Sequence, residues 1–162
     1  MADIDLGILA EFLVDAKKAA YAGEGAEVKS QRPGFKELEY KDDRLNLEYI
    51  DSYTGFFLAP GQEVVRFDGK PVWVMSYSGG MLGGYREDIK FAKNVFAFLK
   101  KALSNVPIKI PFRGPTHYDG QGFKYRNKIE GDIRDFSGIE TISYNGEEVF
   151  RQRYIGGLVK SK

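Results

Sequence analysis

The side chains best suited to chemistry in this chain are acids. Asp51, Glu63, Glu130, Asp132 and Glu140 all fall in or beside segments that read as strands. A carboxylate on an apolar strand face has a raised pKa unless it is paired, which is how general acids are made. Two such groups flanking a groove could perform glycosidic or other acid–base hydrolysis. The competing reading is structural, with Glu140 bridged to Arg151 across strands and Glu63 bonded to a backbone amide, Arg32 or Arg113. Tyr49, Asp51 and Tyr53 alternate in the segment YIDSY, so all three share one strand face. Two aromatics around an acid can line a pocket for a cationic or sugar-like ligand. They can equally be core tyrosines with Asp51 capping a turn. The candidate ligand-binding set is Tyr49, Asp51, Tyr53, Glu63, Trp73, Arg113 and Glu140. No catalytic residue is singled out.

Other chemistries find less material. The chain has no cysteine, which removes disulfides, thiolate catalysis and Cys-ligated zinc. Its single histidine, His117, could act as a general base but sits in Thr116-His117-Tyr118, the setting of a solvated loop residue. GGMLGG at 79–84 lacks the Lys-Ser/Thr ending of a phosphate-binding loop, and no HExxH, EF-hand or GxSxG pattern occurs. No metal and no cofactor are expected. Arg113, Lys124, Arg126 and Lys128, with Phe123 and Tyr125 between them, make a basic stripe that could bind single-stranded nucleic acid. With a net charge of +1, a plain solvated strand face is the better reading, and nucleic acid is not expected as a partner.

The elements that must position these residues follow from periodicity. Leu6, Leu9, Leu13, Ala16 and Ala20 predict an amphipathic helix capped by Asp3 or Asp5 and ending near Gly23. A second helix is predicted from about Glu87 to Leu103, with a stripe wide enough to pack on more than one side. Strands are predicted at 37–40, 45–51, 63–67, 70–77, 123–129 and 133–136, with 23–34 and 111–122 as loops and the tail from Arg151 as a frayed basic end. Asp68-Gly69 and Asn145-Gly146 both suit the positive φ angles of a type I′ hairpin turn.

Those two hairpins are alike beyond their turns. Displaced by 77 positions, Gly61–Gly80 falls on Gly138–Gly157 with seven identities, among them Glu63/Glu140 and Tyr77/Tyr154. A duplication is expected, with halves at about 5–84 and 85–159 inside a single domain of residues 1–162. With a plain two-residue turn, Val65 lies opposite Val72 and Glu63 opposite Val74. In the second copy Ile142 then faces Val149 and Glu140 faces Arg151. This register puts each Glu on the face of the aliphatic pair and turns Trp73, Met75 and Tyr77 to the other.

The motif Tyr49-x-Asp51-Ser52-Tyr53-x-Gly55, then Gly61-Gln62-Glu63-Val64-Val65 and Gly69-Lys70-Pro71-x-Trp73-x-Met75-x-Tyr77-x-Gly79, resembles an uncharacterised prokaryotic family, a domain of unknown function. Arg32-Pro33, Leu38-x-Tyr40, Arg113-Gly114-Pro115, Phe136-x-Gly138-x-Glu140 and Tyr154-x-Gly156-Gly157 carry the likeness over nearly the whole chain. Ala59 departs from it, standing where the family pattern has Phe before x-Gly-x-Glu, whereas Phe136 keeps that aromatic in the second half. The resemblance implies an association with regulation, because such domains occur alone or behind helix-turn-helix heads of transcription regulators. It implies no activity.

The expected fold is α+β, with two helices packed on antiparallel sheet in two similar α-β-β-β halves about a pseudo-twofold axis. The N-terminus opens acidic and has Glu11 within its apolar part, unlike a signal peptide, and no run of residues is apolar enough to span a membrane. A cytoplasmic location is therefore expected. The leading function is a small-molecule-binding or sensor-like domain with its pocket between the halves. The alternatives are a small hydrolase or lyase using the strand carboxylates, and a protein-interaction module that forms a homodimer through a sheet edge or aromatic patch.

Overall fold

A computed structural model describes residues 4–22 and 26–160. Helix α1 (Leu6–Lys17) is capped by Asp5, whose carboxylate accepts from the N–H groups of Gly7 and Ile8. It runs on into a π-helical turn, Lys18–Ala22. The alternative cap Asp3 and the expected stop at Gly23 lie outside the described residues. Helix α2 (Ile89–Leu103) has Asp88 as its cap, accepting from the N–H of Phe91.

Among the described residues, nine antiparallel strands form one sheet: β1 (Ala26–Val28), β2 (Lys36–Asp42), β3 (Leu47–Tyr53), β4 (Gly61–Phe67), β5 (Lys70–Met81), β6 (His117–Gly120), β7 (Phe123–Asp132), β8 (Asp135–Tyr144) and β9 (Glu147–Leu158). Their order is β1-β2-β3-β4-β5-β9-β8-β7-β6. Each part of the chain thus builds a meander, and the two meanders join where β5 pairs with β9. In that pairing Tyr77 lies directly opposite Tyr154. The α+β expectation holds, in a molecule richer in sheet than expected.

Four segments differ from their sequence reading. The loops expected at 23–34 and 111–122 contain the short edge strands β1 and β6, too brief to leave a periodic signal. The tail expected to fray is β9 as far as Leu158, held between β5 and β8 in the middle of the sheet. Ile133, read as the start of a strand, lies in the tight turn between β7 and β8.

The helices cover one face of the sheet. Leu9, Phe12, Leu13 and Ala16 of α1 pack with Leu47, Tyr49, Val65, Trp73 and Met75. Val95, Phe98, Leu99 and Ala102 of α2 pack with Phe123, Tyr125, Ile142 and Phe150.

Both hairpins turn as expected, with positive φ at Asp68 and Gly69 and at Asn145 and Gly146. Their registers differ from expectation. A β-bulge follows Val65 in the first and Ile142 in the second, leaving Val72 and Val149 as the extra residues. Val65 therefore faces Trp73, and Glu63 faces Met75. Ile142 faces Phe150, and Glu140 faces Gln152. One inserted residue reverses every side chain beyond it. So Trp73, Met75 and Tyr77 join Glu63 on the covered face, and Val74, Ser76 and Ser78 turn outward.

Candidate functional site

Of the expected site residues, Asp51, Glu63, Arg113 and Glu140 converge in one cluster under the helices. Asp51, Glu63 and Glu140 are 0% exposed, and Arg113 is 3% exposed. Charges so far from water must be paired and hydrogen-bonded. Here each is hydrogen-bonded, and Glu63, Glu140 and Arg113 also stand in ion pairs, whereas Asp51 is held by tyrosine hydroxyls.

Register brings the acids together. Asp51 of β3 and Glu63 of β4 are direct cross-strand neighbours. Lys17, at the end of α1, reaches down to bond the Oε2 of Glu63. Its Nζ lies 5.9 Å from the ring centroid of Tyr49 and 5.8 Å from that of Trp73. One helical turn later, the Tyr21 hydroxyl donates to Asp51 Oδ2 at 2.8 Å and to Glu63 Oε1 at 3.2 Å. The Tyr77 hydroxyl donates to Asp51 Oδ1 at 2.7 Å.

Arg113 lies in the segment between α2 and β6. Its Nε and Nη2 donate to Glu140 Oε1 at 2.9 and 2.7 Å, and its Nη1 donates to the Tyr21 oxygen at 3.2 Å. The guanidinium lies 5.3 Å from the rings of both Tyr21 and Tyr77, and 3.8 Å from Glu63. Tyr125 donates to Glu140 Oε2 at 2.7 Å and accepts from the Gly114 N–H at 3.0 Å. The Asn127 amide donates to the Gly114 carbonyl at 3.0 Å, and its own oxygen accepts from Tyr154 at 2.7 Å.

Matching side chains recur across the β5·β9 seam. Tyr77 bonds Asp51 beside Glu63, and Tyr154 bonds Asn127 beside Glu140. Both tyrosine rings lie over a glycine. A Cβ at Gly61 would come within 2.4 Å of the Tyr77 oxygen, and one at Gly138 within 2.2 Å of Tyr154 Cζ. Only glycine leaves room for a ring at those points.

Charge and burial set the protonation of the cluster. Three carboxylates face two cations, so one negative charge is in excess when all are ionised. Asp51 is the group that yields: burial, and then the neighbouring Glu63 charge, push its pKa up to about 6. Burial also raises the hydroxyl pKa values of Tyr21, Tyr77 and Tyr125, which keeps them as donors. Burial lowers the Lys17 pKa against the opposing pull of Glu63.

The remaining expected residues fall elsewhere. Tyr49 and Trp73 are fully buried core residues beneath Lys17, and Tyr49 Oη and Trp73 Nε1 have no hydrogen-bond partner among the described residues. Tyr53 is half-buried at the end of β3 beside Gly61. Arg32 is exposed and stacks on Phe35, and Arg151 pairs with Glu148, so neither serves the cluster. His117 is exposed on β6. Lys17, Tyr21, Tyr77, Tyr125, Asn127 and Tyr154 escaped the sequence reading. The Tyr77/Tyr154 identity was visible, but the misread register turned Tyr77 away from the acids.

On the opposite face the seam carries a groove of about 730 Å³. Its outward side chains form a grid: Ser76 and Ser78 on β5, Ile155 and Arg153 on β9, Ser137 and Ile139 on β8, Glu130 and Lys128 on β7. Tyr77 and Tyr154 line it from beneath. Of three smaller grooves, one of about 600 Å³ adjoins it at Ile155 and two of about 330 and 290 Å³ lie elsewhere, and none of the four is lined by Asp51, Glu63 or Glu140. No helix among the described residues is long and apolar enough to cross a membrane.

Compared with known proteins, residues 51–159 match the model of a domain of unknown function, DUF5680. No curated protein and no solved structure matches the chain. The matched span begins at Asp51 and takes in Glu63, Tyr77, Arg113, Glu140 and Tyr154, while Lys17 and Tyr21 precede it.

Proposed function

The chain belongs to the DUF5680 family, and we propose that it is a small-molecule-binding, sensor-like domain whose ligand occupies the groove at the β5·β9 seam. One observation carries this reading: Tyr77 and Tyr154 line the groove while their hydroxyls bond Asp51 and Asn127 of the covered cluster. A ligand pressing on the seam acts on residues that hold buried charges in place. The groove also has the volume of small-molecule sites, which usually run from about 300 to 1,000 Å³. The groove spans the seam from β5 of one meander onto β9, β8 and β7 of the other, and two duplicated halves related by a pseudo-twofold axis would meet at that seam. Support for that duplication comes from the matching bulges, the paired Tyr–Asp and Tyr–Asn bonds, and Tyr77 facing Tyr154. By analogy with family members behind helix-turn-helix heads, the response would be regulatory.

A thermal-shift screen against a metabolite library tests this, run on the natural chain and on Ser78→Trp, which fills the groove from its exposed side. Hits that stabilise the natural chain and fail on Ser78→Trp are expected. Hits that stabilise both equally overturn the assignment of the groove.

A second reading, an acid–base hydrolase or lyase, is favoured by Asp51, whose pKa burial pushes up to about 6 and whose carboxylate accepts from half-buried Tyr21. Turnover of a hit that disappears in Asp51→Asn while binding persists would select it. Binding without turnover selects the sensor.

A further inference from the structure

Resting on the groove reading above, we propose that the ligand is an amphipathic anion, a carboxylate or phosphate joined to a short aliphatic body. The argument begins with the cross-strand rows. Ser78, Arg153, Ile139 and Lys128 form one row, because Ser78 pairs with Arg153, Arg153 with Ile139 and Ile139 with Lys128. Ile155 and Glu130 stand in the next row, two residues along their strands. The row therefore places two cations on either side of an isoleucine.

Those cations are unengaged. Arg126 and Arg151, on the same face, are paired with Asp119 and Glu148. Among the described residues, Arg153 and Lys128 have no ion-pair partner. A guanidinium with its fork free is the group that holds a carboxylate or phosphate in two parallel hydrogen bonds. Ser78 stands beside it with a hydroxyl to donate.

The apolar part of the ligand has its own surface. Ile155 is 62% exposed and Ile139 38% exposed, and the two flank Arg153 on β9 and β8. Covering them removes apolar area from water, which an inorganic anion alone cannot do. Glu130 at the far corner disfavours a second negative charge beyond Lys128, so one anionic end is the match. None of the eight outward side chains in the grid is aromatic. Nucleic-acid bases, which bind sheet faces by stacking, have no partner there.

The test is a set of ¹⁵N-HSQC titrations with octanoate, octyl phosphate, octanol and octylamine, on the natural chain and on Arg153→Gln and Lys128→Gln. Both variants alter exposed side chains and leave the core intact. Octanoate and octyl phosphate are expected to saturate shifts of the Ser76, Ser137 and Ile155 amides. Arg153→Gln should weaken them about tenfold or more and Lys128→Gln less, as befits a bidentate contact and a point charge. Octanol or octylamine binding as tightly as octanoate overturns the anionic class and leaves the groove reading standing. The same holds if all four are silent while a hit from the metabolite screen moves those amides. If no compound of either set moves them, both readings fall. Binding to vesicles of phosphatidylglycerol without binding of free octanoate overturns the free ligand in favour of a membrane headgroup.

Discussion

At the scale of single residues, Asp51 sets the pH dependence. Its folded pKa of about 6 lies above the ordinary 3.8, so between those values the native state holds a proton that the unfolded chain releases. Stability from this group is full below about pH 4 and is lost as pH rises through 6, by roughly 2–3 kcal/mol. Asp51→Asn removes the titration. Denaturant unfolding of both proteins from about pH 4 to about pH 7 should show the variant gaining on the natural chain by that amount; parallel curves would mean that Asp51 does not titrate as its surroundings dictate. Asn127 already plays the uncharged part, accepting from Tyr154 at the matching place in the other meander. Lys17 makes the complementary case. Lys17→Met strands the Glu63 carboxylate in the core and should cost about 3–5 kcal/mol of unfolding free energy. Adding Glu63→Leu should restore most of it, since removing both charges also removes the burial cost. A double variant no more stable than the single one would show that the ion pair itself supplies the stability.

At the scale of elements, two glycines and two bulges position the cluster. Gly138→Ala puts a methyl where the Tyr154 ring lies, so the ring must move and its bond to Asn127 must break. A loss of about 1–3 kcal/mol in urea unfolding is expected, as for overpacked cores. Gly61→Ala should act in the same way on Tyr77 and Asp51, and a neutral result at either site would contradict the ring-on-glycine packing. These elements also show what the sequence disclosed. Helix stripes, Asp-Gly and Asn-Gly turns and the Glu63/Glu140 correspondence are local, periodic signals, and the structure bears out the helices and turns they predict. The bulge after Val65 is marked only by Pro71, beside its extra residue, and the bulge after Ile142 by no glycine or proline, so a regular ladder reads one face as the other. Lys17 and Tyr21 were hidden for a different reason. On a helix they read as the polar border of an apolar stripe, and only tertiary packing turns them toward Glu63. Arg113 was placed among candidates on its motif, but its grouping with Lys124, Arg126 and Lys128 fails. Those three point outward from β7, and Arg113 is buried.

At the scale of the whole molecule, one sheet separates a buried, charged cluster from an open groove, and the β5·β9 seam belongs to both. The interaction-module alternative looks instead to the exposed Phe56 and Leu58, where Phe56 packs against Phe57 and Phe96. That patch lies on the β3–β4 connection and α2, away from the outward grid. The two surfaces can therefore be told apart by where a bound molecule perturbs the protein. The most direct measurement is an amide chemical-shift map of the first compound to emerge from the metabolite screen. The expected result is a set of saturable shifts centred on Ser76, Ser78, Ser137, Arg153 and Ile155, with a weaker response at Tyr77 and Tyr154 and none in Ser78→Trp. Shifts centred on Phe56, Leu58 and Phe96, with the seam unchanged, would contradict the account.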